Sequence, residues 1–171
     1  IKMTDLNKNS LSEIVNLIKT KKVSSLEITK HFIKNIEKSK KLNSFITTCF
    51  DEVLKKAKEF DNKKNFNGLL SGVPLAVKDL FCTKNIRTTA GSKILENFVP
   101  TYESSVTHNL WSEGAILLGK LNCDEFAMGS SNETSYFGKT INPVGKNLVP
   151  GGSSGGSASA LAANLTPATI G

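Results

Sequence analysis

At Leu69 the chain changes character. The segment before it alternates Lys-rich amphipathic stretches, whereas the segment after it opens on Gly72-Val73-Pro74-Leu75-Ala76-Val77, a short apolar run that ends on Lys78. A run of this length and content, bounded by glycine and charge, has the form of a strand buried on both faces. Such a strand needs a sheet around it and helices over that sheet, which confines the chain to an α/β architecture.

The flanking segments agree. Ser10 precedes Leu11, Ile14, Val15 and Ile18 at helical spacing, and Ser24 with Glu27 three residues on forms a capping box ahead of a second helix running to about Lys40. Phe45–Phe50 is β-branched and aromatic enough for a strand. Asp51-Glu52 then opens a Lys-rich helix toward Phe60, with a loop over 62–68. A helix over 104–113 feeds an apolar run, Gly114–Gly119, that reads as a central strand. Ala158–Ala163 is a small-residue helix, and Thr166–Ile170 begins another strand. With 39% hydrophobic residues, the chain can bury one core. The organisation expected is one domain, with residues 1–67 a helical Lys-rich lead-in to residues 68–171.

All of the net charge of +7 lies in residues 1–67; residues 68–171 balance. It is carried by Lys in helical segments, and Arg87 is the only Arg, so forked recognition of phosphates or base edges is nearly absent. The reading is a solvated Lys-rich face, with a non-catalytic RNA-binding or scaffold module as the alternative. Cys49, Cys82 and Cys123 are far apart and never in a C-x-x-C pair, which argues against zinc or a disulfide framework and suits a reducing cytoplasm. No apolar run approaches the ~20 residues needed to span a bilayer, and the first residues lack the apolar core of a signal peptide, so a soluble, cytoplasmic protein is expected.

Three places can carry chemistry. Lys78 sits where a strand would deliver its amine from a dry interior, and burial favours the neutral form that can act as a base toward a Ser hydroxyl. A surface Lys at a strand end is the plainer alternative. Asp79 would oppose the base reading if it shared the cavity, but strand alternation puts neighbours on opposite faces. Gly151–Ser157 offers backbone N–H groups near a helix N-terminus, or else a flexible linker; it is no phosphate-binding P-loop, because Gly156 is followed by Ser157-Ala158 rather than Lys-Ser/Thr. Glu125–Ser135 is dense in donors and acceptors around Gly129, as a polar pocket or as a capped turn. His31 and His108 lie in helical stretches without acidic partners, which disfavours a Ser-His-Asp triad.

Taken in order, Gly72-Val-Pro-Leu-Ala-Val-Lys78-Asp79, Glu125–Tyr136 and Pro150-Gly-Gly-Ser-Ser-Gly-Gly-Ser157 resemble the amidase signature family. Asn122–Gly129, Asn132–Gly138 and Asn142-Pro143 are most similar to the tRNA-dependent amidotransferase branch of that family. The resemblance implies the N-terminal portion of the amidase-signature fold: a mixed central sheet covered by helices on both faces, truncated, with 1–171 the N-terminal part of a single amidase domain and 68–171 the first part of its catalytic core. It implies Lys78 as base and Ser153 as the relay serine held by a cis peptide. The family's nucleophilic Ser lies in a Gly-(Ser/Thr)-Asp-Thr-Gly-Gly-Ser segment whose first Gly would be Gly171, so the 171 residues alone are expected to be inactive.

It further implies glutamine as ammonia donor, Glu-tRNA(Gln) as acceptor, and B and C subunits as partners. No cofactor or metal is implied for this subunit; ATP and Mg2+ are used by the complex through the B subunit. A stand-alone amidase of the same family acting on another small amide is the nearest alternative.

Overall fold

The computed structural model describes residues 3–63, 67–145 and 147–171. Among these residues five α-helices and four strands follow one another, with short 3-10 turns between some of them: α1 (Leu11–Lys19), α2 (Ser25–Lys38), β1 (Phe45–Thr48), α3 (Phe50–Lys63), β2 (Pro74–Lys78), α4 (Ser105–Ser112), β3 (Ile116–Leu121), α5 (Gly155–Ala162) and β4 (Thr169–Ile170). The loop expected over 62–68 is shorter at its start, because α3 continues through Asn62 to Lys63; 64–66 lie outside the described residues.

Both expected caps form. Ser10 Oγ accepts from the Glu13 amide at 3.4 Å, and Ser24 Oγ from the Glu27 amide at 3.1 Å. Each Glu carboxylate accepts in return from the amide of its capping serine, at 2.6 and 2.9 Å. These reciprocal bonds, backbone first and side chain second, hold the Glu27 carboxyl below its usual range. Ser24→Ala is expected to destabilise the protein by about 1 kcal/mol, read as a lower urea midpoint at unchanged m, with Ser24→Asn close to the parent.

The sheet is mixed, in the order β1-β3-β2-β4, with β1 antiparallel to β3 and the other neighbours parallel. One apolar cluster joins Ile14 and Ile18 of α1, Ile28, Phe32 and Ile36 of α2, and Val53 and Ala57 of α3 to Ala76, Ile116 and Leu118 of the sheet. Ala160 of α5 belongs to the same cluster. A second cluster covers the other face, where Leu75, Val77 and Leu117 meet Leu110, Trp111, Phe81 and Ile86. The helical i, i+4 spacing of Ile28, Phe32 and Ile36 makes one stripe, and strand alternation divides β2 between the two cores. Lys19, Lys30, Lys34, Lys38, Lys55 and Lys58 lie outside both clusters, so the Lys-rich part carries its charge away from the apolar stripes that face the sheet.

A bulge in β3 matters for the site. Leu75 pairs with Leu117 but Ala76 pairs with Gly119, leaving Leu118 as the extra residue. From there the alternation of β3 is offset by one, so Leu121 turns to the first core and Lys120 to the second.

Candidate active site

Lys78 is the last residue of β2 and is only 4% exposed. Its Nζ donates to Ser153 Oγ at 2.7 Å and to Ser154 Oγ at 2.9 Å, so the structure brings together the two residues singled out in the sequence. The strand-end surface position considered for Lys78 does not describe it. The Gly152–Ser153 peptide bond is cis.

The segment carrying Ser153 is held from below. The Asp124 amide donates to Ser153 O at 3.1 Å, and the Gly156 amide to Asn122 O at 3.0 Å. Gly152 has no room for a side chain: a Cβ would lie 2.2 Å from Asp124 Oδ2 and 2.6 Å from the Ser131 amide nitrogen. Helix α5 starts at Gly155, three residues before the small-residue helix read from the sequence, so Gly151–Ser157 is not a linker but a packed loop and first helical turn. Ser159 continues this seat, its hydroxyl sharing a hydrogen bond with Ser44 Oγ at 2.9 Å and standing 2.8 Å from Ile141 O, to which it donates.

Glu125–Ser135 is chiefly a capped turn, and the residue that organises it stands just before it. The Asp124 carboxylate accepts from the Asn132 amide at 2.9 Å, the Thr134 hydroxyl at 2.9 Å and the Thr134 amide at 3.3 Å. Burial works against its charge, but these donors outweigh burial and hold the carboxyl below its usual range. Glu125 accepts from Ser92 Oγ at 2.6 Å, and Met128 stands exposed at the outer side of the turn. Sequence reasoning missed Asp124; an acidic residue heading a Gly/Ser/Asn/Thr segment was the signal available.

Asp79 is fully buried and does not contact Lys78; its carboxylate takes the Thr89 amide at 2.9 Å and faces Lys120 on the far side of the sheet. His31 pairs with Asn7 at 2.7 Å and His108 is exposed on α4; among the described residues neither bonds to a serine side chain. The end of β4 also reaches the site, since a Cβ on Gly171 would lie 2.9 Å from Ser154 Oγ and 3.2 Å from Ser157 Oγ.

A buried lysine against two serine hydroxyls, with no histidine beside them among the described residues, is an arrangement in which an amine can serve as base toward a hydroxyl. Residues 27–171 match the Amidase family, and the chain belongs to it. It is 68% identical over 169 residues to the A subunit of glutamyl-tRNA(Gln) amidotransferase from Pelagibacter ubique, covering 99% of this chain and 35% of that protein. The corresponding protein of Rickettsia bellii is 51% identical, again over 99% of this chain and 36% of its own length. Among solved structures, the A subunit of the Thermotoga maritima glutamyl-tRNA(Gln) amidotransferase superposes with a TM-score of 0.76 at 33% identity, over 95% of this chain and 33% of that one. The chain therefore spans about a third of the length of the relatives it matches. Among the described residues no helix is long and apolar enough to cross a membrane.

Proposed function

We propose that this chain carries the lysine–serine half of the glutaminase site in the A subunit of a glutamyl-tRNA(Gln) amidotransferase. The observation that carries the reading is the buried Lys78 Nζ to Ser153 Oγ contact at 2.7 Å. In this reading Lys78 is the base and Ser153 the relay. A serine in the sequence that follows Gly171 attacks the amide carbon of glutamine, and its proton passes through Ser153 Oγ to Lys78 Nζ. The same proton then returns to the departing nitrogen, releasing ammonia and leaving a glutamyl ester. Water attacks that ester, gives its proton back along the same path and frees glutamate and the serine. The approach of Gly171 to Ser154 and Ser157 supports a nucleophile delivered from that end of the chain.

Ammonia then passes to the B subunit, where ATP and Mg2+ activate Glu-tRNA(Gln), with the C subunit completing a cytoplasmic complex. The A subunit uses side chains alone, without a metal or cofactor of its own. The test is glutamine hydrolysis and ATP-dependent amidation of Glu-tRNA(Gln) by the full-length protein with the B and C subunits. Both activities are expected, and residues 1–171 alone are expected to release no ammonia from glutamine. A full-length protein active only on other small amides would replace this reading with a stand-alone amidase. Salt-sensitive retention of tRNA by residues 1–171, with no glutaminase in the full-length protein, would replace it with an RNA-binding module.

A further inference from the structure

Two buried charges beside the site have no part in the proton path just described. Asp79 and Lys120 both have side chains with 0% exposure, and their Oδ1 and Nζ atoms stand 3.4 Å apart. Asp79 Oδ2 accepts from the amide and the hydroxyl of Thr89. Lys120 Nζ donates to Phe81 O at 2.8 Å and to Thr88 Oγ1 at 2.7 Å. The bulge at Leu118 is what turns Lys120 to this face, opposite Lys78.

Stability does not account for the pair. Removing two charges from water is unfavourable, and apolar residues of similar volume often do as well or better. Tying the 81–90 segment to the sheet needs neutral donors and acceptors only, as the bond from the Ala90 amide to Asp79 O at 2.9 Å already illustrates. What a charge adds here is electrostatic. A lone carboxylate on the residue next to Lys78 would favour its ammonium form, and close charges of opposite sign shift a titration by roughly 1–3 units.

The other ionisable groups around Lys78 and the pair do not supply the compensation. Burial pushes the Cys123 thiol up to about 12 and the Cys49 thiol up to about 11, so both are neutral. Cys82 donates its thiol hydrogen to the Tyr102 hydroxyl at 3.3 Å. Asp124 is anionic, its carboxylate engaged by Asn132 and Thr134. Lys120 is thus the only cation paired with Asp79 among the described residues.

We propose that Asp79 and Lys120 form a positioning pair that sets the proton affinity of Lys78: Thr89 and Lys120 hold and neutralise the carboxylate on the opposite face of the sheet, leaving the Lys78 amine to the hydroxyls of Ser153 and Ser154. The inference rests on the base role given to Lys78 above. Burial pushes the Asp79 carboxyl up and the Lys120 amine down, and each charge opposes the shift of the other, so loss of either one unbalances the field at Lys78.

The test is the pH dependence of kcat/KM for glutamine hydrolysis by the full-length protein in its complex. A base must be neutral to work, so the acid limb of the profile follows Lys78. Asp79→Asn leaves the Lys120 cation, disfavours protonation of Lys78 and is expected to move the limb to lower pH by roughly one unit. Lys120→Gln leaves the carboxylate and is expected to move it to higher pH by roughly one unit; the double variant returns it to the parent position. Thr89→Val removes one donor that compensates the Asp79 carboxylate and shifts the limb in the direction of Lys120→Gln by less, and it stands in where a single charge variant does not fold. Lys78→Ala, measured alongside, separates the two claims. Activity surviving there removes the base role itself. An inactive Lys78→Ala with an unmoved limb in the folded Asp79, Lys120 or Thr89 variants overturns the positioning pair alone.

Discussion

Lys78→Ala in the full-length protein is expected to lower kcat/KM for glutamine hydrolysis by about 10²–10⁴-fold, the range over which a positioned general base acts. The reason is local. Strand β2 runs through the dry centre of the sheet and delivers the amine to two serine hydroxyls, at 2.7 and 2.9 Å. No histidine among the described residues stands near the serine pair to take over the proton. Lys78→Arg is the informative companion, because a guanidinium keeps the charge but cannot give up its proton, and it should be as inactive as the alanine variant. Ser153→Ala should fall by a similar factor, and Lys78→Ala/Ser153→Ala by little more than either alone, since groups on one proton path do not add. Steady-state ammonia release, with circular dichroism confirming the parental fold, measures all four. A folded Lys78→Ala that keeps more than about a tenth of the parent's kcat/KM would take Lys78 out of the mechanism.

A large loss of stability from a one-carbon change is expected at Gly156, beneath the site. Its Cβ would lie 2.4 Å from Asn122 O, 2.5 Å from Asn122 N and 2.7 Å from Ser44 O. All three are backbone atoms, in segments that leave β3 and enter β1, so no rotamer change relieves the overlap. Either α5 lifts from the sheet, breaking the Gly156 amide bond to Asn122 O at 3.0 Å, or the strand ends separate. Gly156→Ala is therefore expected to destabilise the protein by about 3 kcal/mol, at the upper end for overpacking. Urea unfolding of the full-length protein reads this as a lower midpoint at unchanged m. A loss within about 0.5 kcal/mol, the scatter of surface substitutions, would show that α5 is not seated on Asn122 as described. Ser153 precedes this seat by three residues, so Gly156→Ala should also impair glutaminase activity in whatever fraction remains folded.

The features legible in the sequence are those decided over a few residues. Ser10 with Glu13 and Ser24 with Glu27 specify their own caps, because donor and acceptor lie three residues apart whatever the rest of the chain does. The apolar run up to Val77 has no stable place except a sheet interior, which delivers Lys78 to its edge, and period-two alternation already separates Lys78 from Asp79. The motif resemblance added Ser153 and the helices on both faces of the sheet. The start of α5 was not legible. Gly155 and Gly156 are poor helix formers, and they are helical because their missing side chains let the first turn sit against Asn132 and Asn122.

Lys120 was equally hidden. By strict alternation along β3 it belongs to the first core, and only the extra residue Leu118, visible in the pairing with β2, turns it toward Asp79. Asp124 gave no sign that it would carry the loop of Ser153, since that bond joins residues 29 positions apart through the backbone of a neighbouring turn. The sequence by itself therefore determined the caps and the buried strand that ends on Lys78, because each rests on short-range sterics, hydrogen bonding and period. The tertiary structure decided that Lys78 meets Ser153 across 75 residues, and on which face each charge is buried. Those outcomes depend on strand order, on one bulge and on the close approach of glycine backbones, and none of these has a local signature.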